Sequence, residues 1–350
     1  MLSTRRNVLL VTVLCLPLSM FIALSYGTVS IPISDVFSAL TNFGSDAIQS
    51  RSDLVVQQIR LPRALLAAFV GALLGICGAT TQGLFRNPLA DPSLIGVTAG
   101  ASAGAALSIF FASRFITLSD LSGLSIVSIG AFFGGALAVM LVYSLATTKR
   151  GSPNSESGTS VATMLLAGIA ITAIAGSVTS LLEFFSDDEI LRRISLWKMG
   201  GLDRADYTRV SVVTVFGAII FLTLPRFSTA LNALLLGDSE ARHLGLSVQR
   251  IKINLVLLVA AGVGISVALA GTIAFIGLIV PHIMRLLIGP DHRLLLPLSA
   301  LGGSILLLLS DTISRTIFAP IELPVGLVTA LLGAPFFISL LRHRHDYGMR

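Results

Sequence analysis

Charge is what this chain has little of. Only 12% of its 350 residues are Asp, Glu, Lys or Arg, while 54% are hydrophobic. A water-soluble domain of ordinary composition carries about 25% charged residues. Too few charges remain to cover a surface facing water, so the bilayer is the solvent to reckon with. Cysteine is scarce too. Cys15 and Cys77 each sit inside an apolar run, which excludes a disulfide framework and a thiolate metal site and reads as two buried thiols. Missing motifs narrow the chemistry further. There is no G-x-x-x-x-G-K-[ST] phosphate loop, which excludes an ATPase of that class, and no H-E-x-x-H, which excludes an intramembrane metalloprotease of that type. No paired catalytic constellation stands within or beside the apolar runs, so no catalytic residue and no metal ligand is assigned. The net charge of +6 would suit nucleic acid, but the bases fall between apolar runs with no interleaved aromatics. Nucleic acid is therefore excluded as a partner.

What is present is a succession of runs long enough to cross a membrane. Stretches free of Asp, Glu, Lys and Arg cover residues 7–34, 64–85, 92–113, 121–148, 157–182, 210–225, 253–284, 294–310 and 323–341. A span needs about 20 apolar residues. The first stretch follows Arg5 and Arg6 as a signal peptide would, yet it is long and many others follow, so it reads as a retained first span. Residues 253–284 would make one helix of about 48 Å at about 1.5 Å per residue, too long for a core of about 30 Å. Gly271 and Gly277 offer places to loosen it, and a split near Ala270–Gly271 predicts ten spans with both termini on one side. Placing both termini in the cytoplasm puts Arg86, Lys149, Arg150, Arg226, Arg250, Lys252, Arg285, Arg293 and Arg342 on the inner side. Bases then outnumber acids inside, and acids outnumber bases outside, as the positive-inside rule requires. The fold class predicted is an all-α polytopic membrane protein, one transmembrane domain over residues 1–350 with no inserted soluble domain. Residues 148–159 read as a flexible inner linker, the outer connection near 33–58 carries amphipathic pieces, and the outer segment 186–209 has a helical start.

One polar interruption stands out, "LNALLLGDSEARHLGLSVQRIK" at 231–252. Asn232 is expected to cap a first short turn that Gly237 ends. Asp238 or Ser239 is expected to cap a second, with Glu240 in its first turn and Arg242 and His243 toward its end, an order that suits the helix dipole. Gly245 closes it, and Ser247 caps the next span. Turn chemistry this dense predicts a rigid helix–turn–helix knob on the inner surface, shaped to dock a partner; the plainer alternative is an ordinary interfacial loop.

Two longer passages carry a family likeness. "QIRLPRALLAAFVGALLGICGATTQGLFRNPLADPSLIGVTAGASAGA" and "AGTIAFIGLIVPHIMRLLIGPDHRLLLPLSALGGSILLLLSDTISRTIFAPIELPVGLVTALLGAPFFISLLR" resemble hallmark regions of the FecCD-type, or type II, permeases of bacterial ATP-binding-cassette importers. The likeness extends over nearly the whole chain. It implies ten spans per subunit and a second permease copy, in a homodimer or close pair. It also implies two ATPase subunits beneath, which carry the ATP and Mg, and a periplasmic substrate-binding protein above. The knob at 231–247 matches the family's coupling helices, which assigns ATPase contact to Leu236, Gly237, Asp238, Glu240, Ala241, Arg242, Leu244 and Gly245. Docking of the binding protein's acids is assigned to Arg60 and Arg63 in "IRLPR" and to Arg315 in "TISRTIF", where a guanidinium fork matches a carboxylate; the plainer alternative is arginines snorkelling to the headgroups. The segment "SDDEILRRISLWKMGGLDRA" resembles its counterpart in haem-importing members, which favours haem over a ferric siderophore as cargo. His282 in "VPHIMR" belongs to the general family pattern and is expected to serve by structural hydrogen bonding. Met164, Trp197 and Met199 are left without a role, as is the substrate path. The resemblance implies the bacterial inner membrane, no catalysis and no cofactor held by this subunit. A cobalamin permease of the same family is the alternative, and an ion-coupled secondary transporter is the alternative from another class. The latter is disfavoured because Glu183, Asp311 and Arg315 flank runs instead of sitting at mid-membrane depth.

Overall fold

The computed structural model describes residues 2–42, 50–115, 126–147 and 161–343. Among them every regular element is helical. Helix α1 (Leu2–Ser25) leads to two short helices, α2 (Ile33–Thr41) and α3 (Arg51–Leu54), and a π-helical turn at Val55–Arg60 runs straight into α4 (Leu61–Leu84). Then come α5 (Val97–Phe115), α6 (Ile126–Ala146), α7 (Val161–Phe184), the amphipathic α8 (Asp188–Lys198), α9 (Tyr207–Thr223), α10 (Ser228–Leu236) and α11 (Asp238–His243). The chain ends through α12 (Val248–Ala270), α13 (Ile276–Ile288), α14 (His292–Thr316) and α15 (Val325–His343). The linker at 148–159 and the tail from 344 lie outside the described residues.

Among the described residues, seven helical stretches are long and apolar enough to cross a membrane, and α5, α13 and α15 supply three shorter apolar ones. The predicted break falls where expected. Gly271, at φ +68°, ends α12, and α13 begins only at Ile276. Gly277 does not loosen anything, however. It lies inside α13, where a side chain on the facing Gly78 would run into its carbonyl. Leu10, Leu14, Phe133, Leu137, Leu166, Ile169, Val215 and Leu222 all face outward, a covering that water would penalise and lipid does not. Scarce acids start the connecting helices: Asp187 accepts the Ile190 N–H at 2.8 Å and Asp206 the Arg209 N–H at 2.7 Å, and Ser50 and Asp53 form a reciprocal capping box. Cys77 is buried as expected, whereas Cys15 is only half-buried on α1.

At the centre, α4 and α14 run antiparallel, with the Ser304 hydroxyl donating to the Ala68 carbonyl at 2.7 Å. Small residues let the two backbones touch: a Cβ on Gly71 would collide with the Gly303 carbonyl, one on Gly303 with the Gly71 carbonyl, and one on Gly75 with that of Ser299. Helices α9, α12 and α13 pack around this pair through α4. The close approach sets an expected result. Gly303→Ala, whose new methyl has only backbone to displace, should lower stability by about 1–3 kcal/mol, read as a lower melting temperature of the detergent-solubilised chain; an unchanged value would mean the pair separates freely.

Candidate functional site

The two ends of the α4–α14 pair carry the two candidate sites. Following the charge asymmetry, the end bearing α10 and α11 is termed the inner end. There α10 buries Leu231, Ala233 and Leu234 against the core and leaves Leu236 68% exposed. Gly237, at φ +123°, turns the chain into α11, whose Ala241 is fully buried. A paired-bond stop ends α11: the Gly245 N–H donates to the Arg242 carbonyl at 2.9 Å and the Leu246 N–H to the Ala241 carbonyl at 3.1 Å. Gly245 holds φ +83° with open space beyond its Cα. The assigned residues thus sit together on one small knob, with Glu240, Arg242, Leu244 and Gly245 on its exposed edge and Ala241 as its internal anchor.

The caps expected on this knob are not the ones found. Asn232 lies inside α10, whose N-cap is Phe227. Its amide donates to Asp291 Oδ1 at 2.7 Å and its carbonyl oxygen accepts the His292 N–H at 2.9 Å, so it fastens α10 to the start of α14. Asp238 is the first residue of α11, without a capping bond. Its carboxylate instead pairs with the buried Lys252 of α12 and stands 3.7 Å from Arg86. Ser247 holds the N-cap position of α12 but makes no side-chain cap bond. Distant partners outcompete local capping here, and two of them, Lys252 and His292, are buried groups that need a polar partner.

The Asn232 bond, with help from the Arg293 backbone N–H, holds the Asp291 carboxyl below the ordinary carboxylate range. A lowered folded-state pKa contributes stability that is present above the unfolded value and lost as pH falls through the folded one. Asn232→Leu is therefore expected to cost roughly 1–3 kcal/mol at neutral pH, with the gap to the parent protein closing below about pH 4. Thermal unfolding of both at neutral and acid pH checks this, and a gap independent of pH would remove Asp291 from the account.

At the outer end the structure brings Arg60, Arg63 and Arg315 into one cluster and buries them to 4%, 8% and 4% exposure. Asp311, 1% exposed, is the hub. Arg63 Nε donates to its Oδ1 at 3.0 Å, and Arg315 Nε pairs with its Oδ2 at 3.0 Å. Arg63 Nη1 also donates to Glu322 Oε2 at 2.7 Å, from the segment before α15. Arg60 caps the end of α1, donating to the carbonyls of Leu24 at 2.6 Å and Ser25 at 2.7 Å and to that of Val29, while Arg315 donates to Ala23 O at 3.1 Å. Gly27 leaves room for both: a Cβ there would stand 3.0 Å from Arg60 Nη2 and 3.3 Å from Arg315 Nη1. The arginines do not snorkel outward. They tie α1, α4 and α14 together, and Glu322 is the partner with a water-facing side, its side chain 37% exposed.

The geometry is that of a helical axle with a knob at one end and a charged clasp at the other. The FecCD transport family model matches residues 14–343. The chain belongs to the FecCD transport family. It is 44% identical over 291 residues to the hemin transport system permease protein HmuU of Yersinia pestis, covering 82% of this chain and 83% of that one. It is 42% identical over 315 residues to the cobalamin import system permease protein BtuC of Halobacterium salinarum, covering 88% and 78%. The fold matches a solved metal-chelate type ABC transporter in an inward-facing conformation, with TM-score 0.80, 30% identity, and 97% and 99% of the two chains covered. This FecCD chain is accordingly a multi-pass membrane protein of a permease family.

Several residues of this FecCD chain acquire partners that its sequence did not announce. Asp311 sits inside α14 and is buried, not merely flanking a run; its i,i+4 spacing to Arg315 was the available signal. Glu322, Lys252 and Arg209 carried no such signal. His282 is not hydrogen-bonded as expected. Both its ring nitrogens are buried without a partner among the described residues, and the ring stands edge-on to Phe336, centroids 6.4 Å apart. Met164 is buried, and Trp197 borders a cavity described below.

Proposed function

We propose that this chain is the transmembrane permease subunit of an ATP-binding-cassette importer of the bacterial inner membrane. It crosses the membrane ten times with both termini cytoplasmic and moves an iron chelate, haem ahead of a ferric siderophore, from periplasm to cytoplasm by alternating access. ATP and Mg are held by two separate ATPase subunits, and a second permease copy completes the pore in a homodimer. The subunit itself performs no covalent chemistry and keeps no cofactor. The observation that carries the reading is the pairing of a rigid, exposed knob at 231–247 with an arginine clasp at the far end of the same two helices, in a chain of FecCD membership. Helix pair α4–α14 joins the two ends, since Asn232 holds α10 to the start of α14 and Asp311 holds its end. The 44% identity to a hemin permease favours haem; the 42% identity to a cobalamin permease keeps cobalamin as the second reading. Ion-coupled transport is disfavoured because Asp311, an acid buried within a span, is already neutralised by Arg63 and Arg315.

On this reading a periplasmic binding protein docks by offering a carboxylate to Arg63 in place of Glu322. Glu322→Gln should then tighten docking by up to about fivefold, the size of a half-exposed ion pair, measured by surface binding of the cognate binding protein at low salt. Weaker docking would place Glu322 in the interface as a direct contact. The function is tested by reconstituting the chain with its ATPase and binding protein in proteoliposomes and offering haem, a ferric siderophore and cobalamin, with and without ATP. ATP-dependent uptake of haem alone supports the full reading. Uptake of another chelate keeps the machine and replaces the cargo, and ATP-independent uptake overturns it.

A further inference from the structure

A cavity of about 560 Å³ lies beneath α8 at the outer end. Its size falls within the range of small-molecule pockets. The walls are apolar where Ile109 of α5, Val127 of α6, Leu269 of α12 and Leu323 face it. Its roof is the turn after α8, held by backbone packing: side chains on Gly200, Gly271 or Gly326 would strike the carbonyls of Thr272, Trp197 and Met199 respectively. The Gly201 N–H also donates to the Ala270 carbonyl at 2.8 Å. A roof fixed by main chain keeps the space formed when nothing fills it.

The polar groups in the lining are unequal. Arg63 is committed to Asp311 and Glu322, Arg193 pairs with Glu189 at 2.5 Å, and Arg204 lies 3.9 Å from Asp203. Arg209 differs. It is 7% exposed, and its guanidinium gives one N–H to the Leu269 carbonyl at 2.8 Å. The nearest carboxylate oxygen, on Asp206, is 4.0 Å away, and that residue's other oxygen is taken by the Arg209 backbone N–H. None of the Arg209 nitrogens is both fully buried and unpartnered, so the donors left over beside the Leu269 bond open onto the cavity, where an anion completes them. The guanidinium fork is shaped for a carboxylate. Trp197, the one tryptophan in the chain, lines the same cavity and brings a large apolar ring to it.

We propose that this cavity binds an amphipathic, ring-bearing carboxylate, with the carboxylate on Arg209 and the ring between Trp197 and the apolar walls. The inference rests on the importer reading only for the ligand's role as cargo; binding itself belongs to the permease. It also selects among cargoes, since a chelate with free carboxylates meets Arg209 and one with amides in their place does not.

The test is equilibrium binding to the full-length permease in lipid nanodiscs, using haemin and haemin dimethyl ester, which share the ring but not the free carboxylates. Haemin is expected to saturate one class of site, with the ester at least tenfold weaker. Arg209→Gln should weaken haemin about tenfold and leave the ester unchanged. Val127→Trp, which adds bulk from the α6 wall and keeps the Arg209 side chain, should weaken both, so the site stays testable if the arginine variant does not fold. Equal affinity for haemin and its ester, or haemin binding indifferent to both variants, overturns the proposal in favour of partition into lipid. Full displacement of haemin by equimolar palmitate overturns the ring-bearing ligand in favour of a lipid carboxylate. The importer reading fails separately, through absence of ATP-driven chelate uptake by the reconstituted complex, whatever the nanodisc result.

Discussion

Asp311→Ala is expected to cost this permease about 3–5 kcal/mol, the size measured elsewhere when one partner of a buried ion pair is removed. Among the described residues Asp311 is the acid that forms ion pairs with both Arg63 and Arg315, and it is 1% exposed. Without it, two guanidinia remain in a low-dielectric site with Arg60 close by across Gly27, and Glu322 bonds directly to Arg63 alone. The chain can respond by drawing water inward or by releasing the end of α1, whose carbonyls Arg60 and Arg315 cap. Either response should appear as a sharp fall in yield and melting temperature. Replacing the charges together, as Asp311→Leu with Arg63→Met and Arg315→Met, should recover much of the loss, because a buried ion cluster and a packed apolar one of similar volume are close in energy. A triple variant as unstable as the single one would mean that the hydrogen bonds to α1, and not the charges, hold the clasp.

What could be read in the sequence, and what could not, divides by distance along the chain. The apolar runs announced the helices because a bilayer leaves the backbone no other way to satisfy its polar groups. The break after Ala270 was legible from length alone, and the knob from glycines that the structure places at φ +123° and +83°. The short polar residues were misread. Asn232 and Asp238 look like caps to any local rule, but Asn232 meets Asp291 and His292 some 60 positions on, and Asp238 meets the buried Lys252. The arginines were found by likeness to a family motif, yet the partners of Arg63 lie about 250 positions away on α14 and before α15, and Arg60 and Arg315 reach back to the end of α1. Gly71 and Gly303 each looked like an ordinary membrane glycine, and only the crossing of α4 and α14 shows why neither accepts a side chain. Arg209 stood unremarked beside a polar outer segment, and its unused donors appear only once the cavity does.

Gly245→Pro is expected to abolish coupled transport, lowering ATP-driven uptake at least tenfold, while the protein still inserts and melts near the parent temperature. Three features of the site lead there. Proline fixes φ near about −65°, whereas Gly245 holds +83°. Proline has no N–H, and that of Gly245 donates to the Arg242 carbonyl to close α11. Nothing lies within 4 Å of the position a Cβ would take, so the damage stays in the knob and does not spread into the packed spans. The exposed edge that carries Glu240, Arg242 and Leu244 loses its orientation relative to Ala241 and Lys252, the two buried residues that join it to the core. Gly245→Ala separates the contributions. It keeps the N–H and pays only the strain of a left-handed residue, about 1–2 kcal/mol, so it should retain part of the uptake. Uptake and ATPase rates of both variants in proteoliposomes settle the matter. Hydrolysis that continues without uptake in the proline variant identifies the knob as the part that carries ATP-driven motion to α12 and α14. Normal uptake would show that the ATPase subunits engage this permease elsewhere.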